Sequence, residues 1–346
     1  MNKKNIAIVW GGYSSEAEVS ERSAVGIYSF IDKEKYNVFL VKIDREAWSV
    51  VETGHTSAPL SDHAPSLPSH HAPSQTIDKN DFSFSLGGEK IKIDFVYNTI
   101  HGTPGEDGLL QGYLDMLGIP YSNCGVWASA LTFNKYACNT FLNSVGVDIA
   151  ESIVLDKKKP YKAEIIVEVL GLPLFVKPNA GGSSFGITKV TDASQLEAAI
   201  KKAFSESPEV IIEEHINGIE VTCGCFETEE GLRTLPITEV VTFNEFFDYN
   251  AKYKGEVEEI TPARIPEEVA NYIANLTQFI YSTIGAKGII RVDYIISGNL
   301  PVMLEVNTTP GMTATSFIPQ QVAAAGLSMT QVLTDIIEYE YNKTHT

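Results

Sequence analysis

The chain has 346 residues, enough for about two to three domains. Lys plus Arg number 26 against 44 Asp plus Glu, a formal net charge of −18. A surface this negative repels phosphate backbones, which argues against a nucleic-acid partner, and 44% apolar with 10% aromatic residues excludes wholesale disorder.

Ile6 to Trp10 is a continuous apolar run closed by Gly11-Gly12 and predicts a buried strand. Ser15 with Glu18 has capping-box spacing, predicting a helix from there to about Ile31. Asn37 to Ile43 is a second strand, and strand–helix–strand at the start of a chain argues for a parallel sheet. From about residue 52 to 80 the composition turns to histidines (His55, His63, His70, His71) and prolines, as in a surface insertion. Phe82 to Leu86 and Glu89 to Ile93, joined by Gly87-Gly88, predict a hairpin. Phe95 to Ile100 is a further strand, followed by a helix over Leu109 to Leu117 that Gly118 closes.

Val126 to Val145 is helical in pattern. Strands are expected at Ser152 to Leu155, Leu174 to Lys177, Ile187 to Val190 and Val210 to Glu214, with an amphipathic helix over Asp192 to Phe204. Further strands are expected at Glu220 to Phe226, Thr238 to Val241, Ile289 to Ile295 and Pro301 to Val306. Helices are expected over about Pro266 to Ile284 and Ser328 to Tyr341. The pattern divides into an amino-terminal α/β domain over 1–125, a central unit over 126–217 and a carboxy-terminal unit over 218–346.

No stretch approaches 18 apolar residues and the first apolar run is too short for a signal peptide. Four cysteines with no pairing pattern suit a reducing compartment, so a cytoplasmic protein with no membrane partner is expected. Cys223 and Cys225, two apart in a strand, read as packing residues.

Several segments could carry chemistry. Lys177-Pro-Asn-Ala-Gly-Gly-Ser-Ser-Phe-Gly186 runs from a strand into a loop whose bare backbone N–H groups could nest an anion beside the lysine. A plain flexible turn is the alternative, and the loop lacks the Walker A pattern. Arg291, Asp293, Glu305 and Asn307 stand two apart in neighbouring strands, so each pair shares a face. Asp, Glu and Asn are hard oxygen ligands of the kind Mg²⁺ prefers, and a surface hairpin with an Arg291 ion pair is the competing reading. His101-Gly-Thr-Pro-Gly-Glu-Asp-Gly108 follows a strand end, where open α/β sheets place ligands. Glu16 stands at the edge of the first strand near a helix start, suited either to a ligand or to ordinary capping. Asn307 to Ser316 is rich in hydroxyls, and Phe246 to Tyr253 lies in a long irregular stretch of the sort that forms lids.

Taken together, His101 to Gly112, Gly118 to Ser122, Gly125 to Ala130, Asp248 to Tyr253 and Glu305 to Thr313 resemble the D-alanine–D-alanine ligases, a family of ATP-grasp carboxylate–amine ligases. The resemblance implies a three-domain ATP-grasp α/β architecture with an open parallel amino-terminal domain. It implies ATP-dependent joining of two D-alanine molecules through an acyl phosphate, for peptidoglycan precursor synthesis. Residue by residue, Lys135 and Lys177 match the lysines on the ATP phosphates, and Ser183, Ser184 and Gly186 the loop over them. Glu213, Glu214 and Ile216 match the hinge at adenine, Glu220 the acid on ribose, and Lys252 a further nucleotide contact. Asp293, Glu305 and Asn307 match the ligands of two Mg²⁺ ions, for which Mn²⁺ can substitute. Glu16 matches the acid that holds the first D-alanine's ammonium, and Glu16, Ser183 and Tyr253 a trio that latches the lid. Arg291 and Gly311 match groups beside the tetrahedral centre, Ser316 and Phe317 the second D-alanine pocket, and His101 a further substrate contact. A homodimer is implied too.

The chain departs from the family's usual residues at Ala17, Asn134, Phe185 and Phe317. Tyr253 favours a peptide-forming enzyme over one that makes a D-alanine–D-lactate ester. Another ATP-grasp ligase and a non-catalytic nucleotide-binding module are the rival readings.

Overall fold

The structure, a computed structural model, describes residues 3–51, 75–182, 186–242 and 257–345. Ser183, Ser184, Phe185, Lys252 and Tyr253, with most of the expected lid and of the histidine-rich stretch, lie outside the described residues.

The amino-terminal sheet begins with β1 (Lys4–Gly11), followed by α1 (Ala17–Phe30) and β2 (Tyr36–Ile43), which pairs parallel to β1 in register from Lys4↔Tyr36 to Gly11↔Ile43. Next come β3 (Trp48–Val51), β4 (Gln75–Thr76), the hairpin β5 (Phe84–Leu86) and β6 (Glu89–Ile91), and β7 (Phe95–Asn98). The sheet order is β4-β3-β2-β1-β7, with β7 parallel to β1. Alternation along β1 serves two cores. Ile6, Ile8 and Trp10 face one, and Ala7 and Val9 the other, where α2 (Leu109–Leu117) supplies Leu110 and Leu114. Gly118 ends α2 in the left-handed conformation at φ 67°, as a C-cap glycine should.

Two expectations here need correction. α1 begins at Ala17 with no side-chain cap, so Ser15 and Glu18 form no capping box. Ser14 instead accepts the Glu16 N–H at 3.2 Å and donates to the His101 carbonyl at 2.9 Å, tying the helix start to the β7 loop. The insertion also ends sooner than residue 80: Gln75–Thr76 pair with β3 and Ile77 is buried.

The helical stretch after residue 125 is two helices, α3 (Val126–Phe133) and α4 (Lys135–Ser144). They break at Asn134, whose Oδ1 caps α4 by accepting from Ala137 N–H at 2.9 Å. The central sheet comprises β8 (Ser152–Asp156), β9 (Leu174–Pro178), β10 (Thr188–Val190) and β11 (Glu209–Glu214), antiparallel in the order β10-β9-β11-β8. α5 (Ala163–Leu170), which the periodicity does not reveal, and α6 (Leu196–Ala203) cover its outer face. Leu174, Val176, Val210 and Ile212 point into that core, so Phe175, Lys177 and Glu213 must point the other way.

The carboxy-terminal sheet comprises β12 (Ile219–Thr228), β13 (Gly231–Thr234), β14 (Thr238–Thr242), β15 (Val257–Ile260), β16 (Ile289–Ser297) and β17 (Leu300–Asn307). Its order is β15-β14-β12-β16-β17 with β13 off β12. α7 (Glu267–Thr283) packs on one face, where Cys223 and Cys225 are buried packing residues as expected. The chain then runs into α8 (Phe317–Ala324) and α9 (Met329–His345). Val332, Leu333, Ile336 and Ile337 of α9 join Ile6, Ile8 and Trp10 in one core, so the end of the chain docks on its first strand.

Candidate active site

A cleft of about 220 Å³ lies where the three sheets meet, and it adjoins a second hollow of about 130 Å³. Lys177, Ile187, Glu305 and Phe317 line both. The larger part carries Glu16, His101, Glu106, Lys135, Arg291, Glu305, Asn307, Gly311 and Ser316. The smaller carries Phe175, Glu213, Glu214, Ile216, Glu220 and Asp293.

Strand alternation explains most of this. On β16, Val292 and Tyr294 are fully buried, which turns Arg291 and Asp293 to the cleft. β17 pairs with it as Arg291↔Asn307 and Asp293↔Glu305, and the register then shifts between Asp293 and Tyr294. That bulge gives β17 one extra residue, so Leu304 and Glu305 both line the smaller hollow while Met303 and Val306 stay in the core.

The charges are held by neighbours. Asp293 accepts from Arg291 Nε at 2.8 Å and Nη2 at 2.7 Å, from Thr222 Oγ1 at 2.6 Å and from Asn307 Nδ2 at 3.1 Å. Burial works against the Arg291 cation, yet Asp293 outweighs it and holds the guanidinium above its ordinary value. Lys177 pairs with Glu213. Burial again opposes the charge, and Glu213 keeps the ammonium pKa raised. Lys135 donates to the Gly181 carbonyl at 2.8 Å and stands 3.4 Å from Glu305.

At the amino-terminal wall, Glu16 is only 3% exposed. Gly182 lies so close that a Cβ there would meet Glu16 Oε1 at 2.8 Å. Glu106 accepts the Gly102 N–H at 2.7 Å; burial first, then Glu16, push its carboxyl well above the usual carboxylate range. His101 shares a 3.2 Å hydrogen bond through Nε2 with Ser23 Oγ. Burial, then the Arg291 and Arg22 cations, lower its pKa to about 4, so its ring is neutral at pH 7.

The fold thus gathers Glu16, His101, Lys135, Lys177, Glu213, Glu214, Ile216, Glu220, Arg291, Asp293, Glu305, Asn307, Gly311, Ser316 and Phe317 along one cleft. Gly186 does not line it; it packs beside Pro178, which does. Among the lining residues that the motifs do not single out are Glu106, Phe175 and Glu259. Glu106 sits inside the His101–Gly108 loop, so its strand-end position was the available signal. Phe175 follows from the alternation that exposes Lys177. Glu259 belongs to β15, a strand with no legible pattern.

Asp293 and Glu305, opposite one another with Asn307 beside them, offer two carboxylates and an amide as hard oxygen donors. Like charges directly opposite in a sheet repel, and a divalent cation between them would relieve that, so the donor set fits Mg²⁺.

The chain is similar to known proteins over nearly its whole length. Residues 5–124 match the family described as D-ala D-ala ligase N-terminus, and residues 141–338 match D-ala D-ala ligase C-terminus. A D-alanine–D-alanine ligase of Parabacteroides distasonis is 57% identical over 345 residues, covering 99% of both chains. The VanG D-Ala:D-Ser ligase of Enterococcus faecalis superposes with a TM-score of 0.80 at 32% identity, over 98% of this chain and 100% of that one. A D-alanine–D-alanine ligase of Bacillus anthracis complexed with ATP superposes with a TM-score of 0.75 at 27% identity, over 99% of each. The fold is therefore the ATP-grasp α/β fold expected of the motifs, and the chain belongs to the D-alanine–D-alanine ligase family.

Proposed function

We propose that this cleft binds ATP and two D-alanine molecules and joins them into D-alanyl-D-alanine, releasing ADP and phosphate, to supply peptidoglycan precursor synthesis. One observation carries the reading. Two lysines, a cross-strand Asp–Glu–Asn set and the buried Glu16 converge on a single cleft in a chain of this family.

A carboxylate is a poor acyl donor, and phosphorylation converts it to an acyl phosphate with a good leaving group. Glu16 fixes the ammonium of the first D-alanine. Lys135 and Lys177 neutralise phosphate charge. Glu213, Glu214 and Ile216 take adenine, and Glu220 the ribose. Asp293, Glu305 and Asn307 would hold two Mg²⁺, or Mn²⁺, which would supply charge neutralisation at the phosphoryl oxygens. Arg291 and Gly311 attend the oxyanion, and Ser316 and Phe317 the second amino acid. His101, beside them in the larger part of the cleft, contacts substrate. Ser183, Ser184 and Gly186 cover the phosphates with Lys252, and Tyr253 latches the lid to Glu16 and Ser183.

We assign the first substrate to residues 1–125, the nucleotide to 126–217 together with Glu220 and Lys252, and the metal and acceptor to 218–346. We also assign the enzyme to the cytoplasm; among the described residues no helix is long and apolar enough to cross a membrane. The exposed Leu109, Met116 and Trp127 on α2 and α3 support a homodimer.

The test is ADP release with D-alanine, L-alanine, D-lactate and D-serine in turn. D-alanine should drive it and yield the dipeptide. D-serine is included because the VanG relative is a D-Ala:D-Ser ligase. Release with none of the four would overturn the assignment.

A further inference from the structure

Among the described residues, four carboxylates line the larger part of the cleft: Glu16, Glu106, Glu259 and Glu305. Glu16 and Glu106 stand together at the amino-terminal wall, linked through Gly102. Glu305 belongs to the cross-strand oxygen set. Glu259 stands elsewhere, on β15, which joins the far edge of the carboxy-terminal sheet beside β14.

Its carboxylate is held from α8. Gln320 Nε2 donates to Glu259 Oε2 at 2.6 Å and to the Thr315 carbonyl at 2.8 Å. The same amide therefore fixes Glu259 against the Thr315–Phe317 turn, whose residues line the cleft beside it. Oε1 has no hydrogen-bond partner among the described residues. Burial raises the carboxyl above its ordinary range, opposed by Gln320 and the Arg291 cation.

Resting on the dipeptide-forming reading above, we infer that Glu259 receives the ammonium of the second amino acid and takes a proton from it. Both substrates are zwitterions, so each brings an ammonium into the cleft, and an ammonium that leaves bulk water needs an anionic partner. Glu16 serves the first. Among the described residues, Glu259 lines the cleft with Thr315, Ser316 and Phe317, the pocket assigned above to the acceptor. The ammonium gives one proton to Glu259 Oε1, which frees the nitrogen lone pair. The nitrogen attacks the acyl carbon, the C–N bond forms, and the C–O bond to phosphate breaks. The phosphate leaves with that electron pair and with the second nitrogen proton.

The test compares two acceptors for the enzyme charged with D-alanine and Mg-ATP. D-Alanine brings an ammonium. Hydroxylamine is an uncharged amine at neutral pH, and traps the acyl phosphate as a hydroxamate without an anionic partner. In Glu259→Gln the dipeptide rate at subsaturating acceptor should fall about tenfold to a hundredfold, the range of one hydrogen bond to a charged group. Hydroxamate formation should stay near wild type, showing an intact fold, nucleotide site and first-substrate site. Glu259→Asp should recover part of the dipeptide rate. Equal dipeptide rates in wild type and Glu259→Gln, or dipeptide and hydroxamate falling together in both variants, would overturn the inference. Wild-type enzyme that makes neither product would instead overturn the ligase reading itself.

Discussion

Asp293 and Glu305 oppose each other in register on β16 and β17, a like-charge pair whose repulsion Arg291 and Lys135 offset. Glu305→Gln removes that repulsion and one proposed metal ligand together. We expect kcat to fall by roughly a hundredfold or more, the scale of several kcal/mol of lost charge stabilisation. The melting temperature should hold, since the fold loses no apolar contact. Near-normal turnover in this variant, measured by ADP release, would remove Glu305 from the metal set. His101 makes a different prediction. Its pKa falls from 6.5 to about 4 on folding, so the unfolded chain binds the proton more readily. The stabilisation is complete above pH 6.5 and is lost as pH drops through about 4. Denaturant midpoints for wild type and His101→Gln should show a steeper acid loss in the wild type. Parallel curves would mean that burial of the ring carries no such linkage.

At the scale of elements, α1 shows how packing can reverse a local preference. A glycine inside a helix costs about 1 kcal/mol against alanine. Gly26 is nevertheless required, because a Cβ there would come within 2.0 Å of the Met312 carbonyl oxygen. The helix thus lies directly against the loop that lends Gly311 and Thr313 to the cleft. Gly26→Ala should destabilise the protein rather than stabilise it, by about 1–3 kcal/mol of overpacking strain. KM for D-alanine should rise as the loop shifts. Chemical denaturation and steady-state kinetics on the one variant check both halves, and a rise in stability would show that α1 can move away freely. Strands with strong alternation or continuous apolar runs (β1, β9, β11, β16) were legible from their residues. The short β3 and β15 were not, since four residues hold too few periods to distinguish a strand from a loop. The helix break at Asn134 was hidden for another reason. Its cap depends on α4 turning toward Asn179, whose Nδ2 donates to Asn134 Oδ1 at 3.0 Å, and that contact is tertiary.

At the scale of the molecule, one core joins the two ends of the chain. Leu333 of α9 is fully buried in the cluster that includes Ile6, Ile8 and Trp10 of β1. Leu333→Ala should therefore cost about 2–5 kcal/mol, as large-to-small core changes do. Because the cluster spans the amino-terminal sheet and the carboxy-terminal helices, we expect the loss to appear in a single cooperative urea transition. Two separate transitions would show that the sheets fold independently of that contact.

The residues alone determined the α/β class, the paired-strand placement of Arg291, Asp293, Glu305 and Asn307, and the family, because periodicity and long ordered motifs are local properties of a chain. Tertiary structure decided which charges meet. Lys177 against Glu213, Lys135 near Glu305, Glu106 beside Glu16, and Glu259 held by Gln320 each join segments far apart in the sequence. Distances between such segments follow from how sheets pack and where a bulge shifts register, which no single stretch of sequence encodes.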